Sequence, residues 1–152
     1  MSEEQTLMLV KPDGVQRGLV GEIIRRTEAT GLRIAGIKMV HMDHDLASRH
    51  YAEHVGKPFY QDLVSFITSA PVVAIVMAGP NAIELVRKLI GATSPSDAVP
   101  GTIRGALAVD IGRNLVHGSA TLEDADRECS LFFSSKELCD YRRDNEDWIF
   151  EP

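Results

Sequence analysis

The sequence predicts an α+β sandwich, a small sheet covered by helices. Short apolar runs suited to buried strands alternate with amphipathic stretches in the order β, α, β, α, β, α, β. Gly and Pro punctuate most junctions, as expected where strands and helices end. No internal repeat, low-complexity tract or linker divides the 152 residues, so a single domain over 1–152 is expected.

Thr6-Leu7-Met8-Leu9-Val10 is an apolar run stopped by Lys11-Pro12-Asp13-Gly14, which reads as a buried strand ending in a turn. From Gly21 to Thr30, Ile23, Ile24 and Thr27 fall at helical spacing against polar Arg25, Arg26 and Glu28, and Gly31 supplies the stop. Arg33 to Met42 alternates imperfectly through Ile34, Ile37, Met39 and Met42, a second strand with one face exposed. Asp43 to Thr68 reads as two short helices broken at Gly56-Lys57-Pro58. Val72 to Met77 is the strongest strand pattern, closed by Gly79-Pro80. Asn81 is then expected to cap a helix running to Ile90, with Ile83, Val86, Leu89 and Ile90 buried and Arg87 on another face.

Residues 92–113 form a long segment rich in Pro, Gly, Ser and Thr, with little periodicity except Ala106 to Val109. Long loops in compact domains are commonly functional, and the apolar content with Arg104 and Arg113 favours that over disorder. A strand carrying His117 follows, then a helix from Thr121 to about Cys129 and the run Leu131-Phe132-Phe133. The tail, with Tyr141, Trp148, Ile149 and Phe150, is too aromatic for solvent and is expected to pack on the domain or on a neighbouring subunit.

A content of 44% hydrophobic and 25% charged residues is that of a globular domain and excludes a disordered or fibrous class. The net charge of -6 argues against sequence-independent duplex binding, but a few clustered Lys and Arg can still hold a small anion because screening confines their reach to about 8 Å. Cys129 and Cys139 match no metal spacing and are too few for a disulfide scaffold, which points to reduced thiols. No apolar run is long enough to cross a membrane and no signal-peptide pattern opens the chain, so a cytoplasmic protein is expected.

The chemistry centres on Asn114-Leu115-Val116-His117-Gly118-Ser119, where an apolar run delivers one histidine into a Gly-Ser turn. Thr121 three residues before Asp124 is a weak capping-box pattern, and Glu123 and Asp124 suit the positive end of the helix dipole. Backbone N–H groups at such a helix start favour an anion. An imidazole in water is largely neutral at pH 7 and is then a competent nucleophile. A lone histidine is more often a core or capping residue; the basic and polar residues elsewhere favour the reactive role for His117.

Those residues are Lys11, Arg87, Thr93, Arg104 in Gly101-Thr102-Ile103-Arg104-Gly105, and Asn114. Singly each basic residue reads as a solvated surface charge, and glycine-flanked Arg104 is the best individual candidate. Together they make an anion site, since charge-assisted hydrogen bonds of about 1.5–3 kcal/mol each hold a nucleotide's phosphates without a Walker loop. None exists: Gly56-Lys57 is followed by Pro58, and no protein-kinase HRD or DFG motif occurs. His50 and His54 stand one helical turn apart, but no third ligand is identifiable and the zinc-protease Glu is missing, so no protein-held metal is expected. By pattern alone Tyr51 and Phe59 read as core aromatics.

The segments Lys11-Pro12-Asp13-Gly14-Val15-Gln16-Arg17-Gly18, Pro100 to Gly105, Asn114 to Ser119 and Asp147-Trp148-Ile149 occur in an order and spacing that resemble the nucleoside diphosphate kinases, over nearly the whole chain. The resemblance implies a ferredoxin-like βαββαβ fold with an antiparallel four-stranded sheet, and 92–113 as a nucleotide-site loop. It implies transfer of the γ-phosphate from a nucleoside triphosphate to a nucleoside diphosphate, by a ping-pong route through phosphohistidine at Nδ1 of His117. Mg²⁺ would be carried by the nucleotide phosphates. Lys11, Tyr51, Arg87, Thr93, Arg104 and Asn114 would surround the phosphates and sugar, Phe59 would stack on the base, and Glu128 and Ser119 would orient the imidazole. Stacking reads a π-face, which explains tolerance of any base. A closed homo-oligomer is implied, with six subunits favoured over four by the tail through Trp148 to Pro152.

Two positions depart from the family pattern: Ala106 and Ala120 stand where it usually has Asp. Each removes a carboxylate, and Thr121 is expected to take over capping of the following helix. Loop order, stability and assembly are the properties these alanines affect, through engineering or divergence. Two other readings compete. The same element order builds RNA-recognition domains, but those place aromatics on central strands in a basic face, whereas these strands read Leu7 to Val10 and Val72 to Met77. The other is a scaffold subunit that binds nucleotide without turnover because of Ala106 and Ala120.

Overall fold

The computed structural model describes residues 3–152. At its centre β1 (Glu3–Val10) pairs antiparallel with β3 (Val72–Pro80), and the buried apolar half of β1, Leu7 to Val10, lies against the apolar run of β3, Leu7 opposite Val76 and Leu9 opposite Ala74. Edge strand β2 (Arg33–Val40) adds to β3, and β4 (Val116–Gly118) to the other side of β1, giving the antiparallel order β2-β3-β1-β4. This is the ferredoxin-like arrangement expected from the family resemblance. An irregularity between Ile34 and Gly36 interrupts the β2 register, which is why its alternation looks imperfect in sequence.

Both faces of the sheet are covered, so β1 and β3 are apolar on both sides. Met8, Val10, Ile75 and Met77 face α2 (Val20–Glu28) and α5 (Ala82–Ile90), whose Ile23, Val86 and Ile90 complete that layer. Leu7, Leu9, Ala74 and Val76 face the other way, toward Ala47 of α3 (His44–His50), Val64 and Ile67 of α4 (Tyr60–Ile67) and Phe132 of α7 (Leu122–Phe132). The alternation along β4 follows the same rule: Val116 joins the first layer, and His117, opposite Leu9, points into the second.

Several local expectations change. Lys11 to Gly14 is not a bare turn but leads into a one-turn helix, α1 (Pro12–Gln16), because Pro12 occupies its first position where a missing N–H costs nothing. Residues 92–113 are not wholly irregular: α6 (Ile103–Leu107) starts at Thr102, whose hydroxyl accepts from the Gly105 N–H at 3.0 Å. A Cβ at Gly105 would lie 2.2 Å from the Val99 carbonyl oxygen, so only glycine lets the loop fold back so tightly. Asn81 does not cap α5 through its side chain. It is left-handed at φ 56, and the Glu4 carboxylate accepts the Ile83 N–H instead, at 3.2 Å. The last helix runs through Phe132, taking in most of the run read as separate from it.

The tail packs on the domain for much of its length. The Tyr141 hydroxyl donates to the Ile34 carbonyl at 2.6 Å, Ile149 closes over Gly31, and the Arg143 guanidinium donates to the Gly31 carbonyl at 2.6 Å. Ile149 and Phe150 are partly buried, whereas Tyr141 stays 43% exposed and Trp148 91% exposed.

Candidate active site

The site begins with a backbone turn that sequence pattern did not disclose. Leu115 is fully buried yet left-handed, φ 74. Two bonds impose this costly conformation: its N–H donates to Asp13 Oδ2 at 2.9 Å, and its carbonyl accepts from the Lys11 N–H at 2.8 Å. Through them the end of β1 is tied to the residue before β4. Asn114 and His117 therefore open into the same space as Lys11.

His117 is gripped from behind. Its Nε2 lies 2.8 Å from Glu128 Oε1, and the same oxygen accepts from the Ser119 hydroxyl at 2.7 Å. Ser119 is itself pinned to β1, its N–H donating to the Leu7 carbonyl at 3.1 Å and its Oγ lying 3.2 Å from the Leu7 nitrogen. Burial opposes ionisation of Glu128, but the hydrogen bonds and charge of His117, with the Ser119 hydroxyl, more than offset it and hold its pKa below the ordinary carboxylate value. A carboxylate accepts, so Nε2 carries the hydrogen. Nδ1, with no hydrogen-bond partner among the described residues, keeps its lone pair. The side chain is 26% exposed, enough for Nδ1 to be reached.

The histidine lines a cavity of about 690 Å³, within the roughly 300–1,000 Å³ typical of small-molecule sites. Lys11, Tyr51, Phe59, Arg87, Thr93, Arg104, Asn114 and Glu128 line it too; Ser119 is buried behind it. Every site residue named from sequence is thus brought to one place.

The two arginines are held by backbone oxygens and the lysine by a side-chain one. Arg104 donates to the carbonyls of Asn114, Gly91 and Val116 at 3.2, 3.1 and 2.6 Å. A guanidinium has five N–H donors, so two remain for an anion. Burial, with Arg87 nearby, lowers Arg104 to about 10, which leaves it charged at neutral pH. Arg87 donates to the Gly118 carbonyl at 3.3 Å, beside the histidine. Lys11 donates to the Asn114 side-chain oxygen, and Asn114 Nδ2 donates to the Thr93 carbonyl at 2.9 Å, locking strand end and loop together. Burial brings Lys11 down to about 8, against the attraction of Asp13 and with the repulsion of Arg104 and Arg113. Burial, aided by Glu128, raises Tyr51 to about 12, so its hydroxyl stays a donor.

At the mouth Phe59 is 46% exposed, unlike a core aromatic, and Ile111 of the long loop also lines the cavity. Arg113 does not line it. Its guanidinium lies 4.1 Å from the Phe66 ring centroid and joins the loop to α4. Ala120 lines the cavity, and Thr121 takes over capping as expected, accepting from the Asp124 N–H at 3.1 Å. Ala106 sits exposed on α6.

Sequence reasoning missed three residues here. Asp13 was visible only as part of a turn motif, although an acidic residue after Pro is also a helix-start signal. Arg127 lines the cavity and lies 3.5 Å from Glu128 Oε2. His50 does not pair with His54: α3 stops at His50, and His54 lies in a 3₁₀ turn facing Lys57 and Phe59. Its ring instead stands edge-on to His117, centroids 4.7 Å apart.

Fold and cavity together define a class, a ferredoxin-like α+β domain whose cavity sets one oriented imidazole among cations suited to an anionic ligand. The sequence profile of nucleoside diphosphate kinase matches residues 4–138. The nucleoside diphosphate kinase of Thermomicrobium roseum is 57% identical over 146 residues, 96% of this chain and 98% of its own. Among solved structures, a halophilic nucleoside diphosphate kinase from Halobacterium salinarum in complex with CDP superposes with a TM-score of 0.95 at 52% identity, covering 99% of this chain and all of that one. A nucleoside-diphosphate kinase from Borrelia burgdorferi, solved as a transition-state mimic with vanadate and ADP, has a TM-score of 0.91 at 39% identity over 96% of each chain. The chain belongs to the nucleoside diphosphate kinase family and is an enzyme that moves phosphate between nucleotides.

Proposed function

We propose that the phosphate travels on Nδ1 of His117. The observation that carries the proposal is the bond from Nε2 to Glu128, which leaves Nδ1 as the nitrogen open to the cavity. Its lone pair attacks the γ-phosphorus, the bond to the β,γ-bridging oxygen breaks, and the nucleoside diphosphate leaves with that electron pair. The positive charge gained by the ring is balanced by the Glu128 carboxylate through Nε2–H. A second diphosphate enters and the step runs in reverse. Lys11, Arg87 and Arg104 hold the phosphoryl oxygens, Tyr51, Thr93 and Asn114 donate to phosphates and sugar, and Phe59 stacks on the base. Such a loose transition state requires mainly positioning and charge stabilisation.

Magnesium enters as the magnesium–nucleotide substrate. Of the carboxylates lining the cavity, Glu53, Asp124 and Glu128, only Glu128 is grouped with other ligating side chains, and those are imidazoles, so among the described residues no set of oxygens is gathered for a dedicated magnesium site. Bound to the phosphates, the ion supplies charge neutralisation.

The whole chain is read as one such domain, acting as a closed homo-oligomer with six subunits favoured. Exposed Val99, Leu122 and Trp148 support an assembly. A cytoplasmic location is inferred from the two free cysteines; no helix among the described residues is long and apolar enough to cross a membrane. Incubation with γ-labelled ATP should give an acid-labile label on the protein that His117→Gln abolishes, and a label surviving in that variant refutes the proposal.

A further inference from the structure

His50 has no part in the phosphotransfer just described. Its ring is buried at the end of α3, and neither Nδ1 nor Nε2 has a hydrogen-bond partner among the described residues. Buried polar groups are nearly always paired, so two orphaned nitrogens on one ring point to an occupant, a water or an ion. The ring also has the company an ion requires. One ligating atom from each of His50, His117 and Glu128 lies within 4.8 Å of the other two. Two imidazoles and a carboxylate are a donor set that takes Zn²⁺ at about 2.0–2.2 Å and leaves a fourth position for water.

We propose that His50, His117 and Glu128 form a site for a transition-metal cation of the zinc class, and that filling it stops phosphate exchange. Such a cation takes either the His117 lone pair or the Glu128 carboxylate that orients the ring. Magnesium does not compete, because it prefers octahedral oxygen ligands and keeps its waters, whereas imidazole suits Zn²⁺, Co²⁺ and Cu²⁺. The three ligands come from α3, β4 and α7, so only the folded chain assembles them. The inhibition rests on the proposed role of His117; the binding itself does not.

The test is a titration of the intact protein with Co²⁺, in the presence of Mg²⁺ and without nucleotide, followed by the visible absorption of tetrahedral cobalt. One Co²⁺ per chain should bind. His50→Gln and Glu128→Gln should each weaken binding roughly tenfold or more, since even groups that only support a ligand are worth roughly 10–100-fold. His54→Ala and Cys139→Ser should leave it unchanged. Zn²⁺ should displace the cobalt and abolish phosphate exchange, reversibly on chelation. Proton NMR of the unaltered protein needs no variant: Co²⁺ should shift the imidazole resonances of His50 and His117 and spare His41, His44 and His54. Absence of uptake, undiminished uptake in both glutamine variants, or shifts confined to the other histidines overturns the proposal. Binding is read without turnover, so its failure leaves the phosphotransfer reading intact; cobalt bound at these residues in a protein that never becomes labelled by ATP would separate the two the other way.

Discussion

In the proposed reaction the residue that sets the chemistry is Glu128, whose contact with Nε2 leaves Nδ1 of His117 without a partner among the described residues. Glu128→Gln keeps the shape and removes the charge that steadies the phosphorylated ring. We expect kcat/KM to fall by about 10²-fold or more, bounded by the roughly 10⁴-fold loss seen when a carboxylate orienting a catalytic histidine is made neutral. A change below about threefold in single-turnover phosphorylation would contradict this role. Lys11 gives a pH test. In the empty site it loses its charge as pH rises through about 8, whereas bound phosphate stabilises the cation. Nucleotide affinity measured by calorimetry should therefore fall from neutral to alkaline pH, and Lys11→Arg should flatten that slope. His50 acts on stability with the opposite dependence. Burial, with the charge of His117 next, lowers it from 6.5 to about 3. Between those values the unfolded chain binds a proton that the folded one refuses, so stability is full above 6.5 and is lost as pH falls toward 3. His50→Gln should reduce that loss in denaturant titrations across the acid range.

At the scale of elements, the site depends on how strands and helices end. Helix α7 starts on Thr121, and Thr121→Ala should cost about 1 kcal/mol in chemical denaturation with an unchanged m-value. That cap was legible because it is local, a hydroxyl three residues before an acidic side chain. The strands β1 and β3 were legible for a similar reason: two covered faces write a continuous apolar run. What stayed hidden involves partners far apart in sequence. Asn81 looked like a cap until the Glu4 carboxylate took the N–H it would have received. The left-handed Leu115 is held by Asp13, a hundred residues upstream, and no pattern around Leu115 announces it. In sequence His50 pairs with His54, one helical turn on, but its neighbour in space is His117. The residues proposed to hold the phosphates scatter from Lys11 to Asn114, and it was the family resemblance that gathered them.

For the whole molecule, one surface observation bears on assembly. Trp148, the only tryptophan, is 91% exposed in the isolated chain while the tail around it is anchored to the domain. In a closed oligomer that covers the tail, its fluorescence should be blue-shifted and move to the red on dilution or in mild denaturant, in step with a fall in mass from six chains. A red, concentration-independent spectrum with a single-chain mass would contradict the assembly. Ala106→Asp tests the exposed position on α6 in the same experiment; an unchanged mass and melting point would show that the missing carboxylate does not govern assembly.

The central claim is that one nitrogen of one ring carries phosphorus between two nucleotides. Its most direct measurement is ³¹P and ¹⁵N NMR of the protein trapped after reaction with ATP and removal of ADP. Phosphorus coupled to Nδ1 of His117, with Nε2 still bearing its hydrogen, is the result predicted by the Glu128 contact. Phosphorus on Nε2, or on the Ser119 hydroxyl, would contradict it.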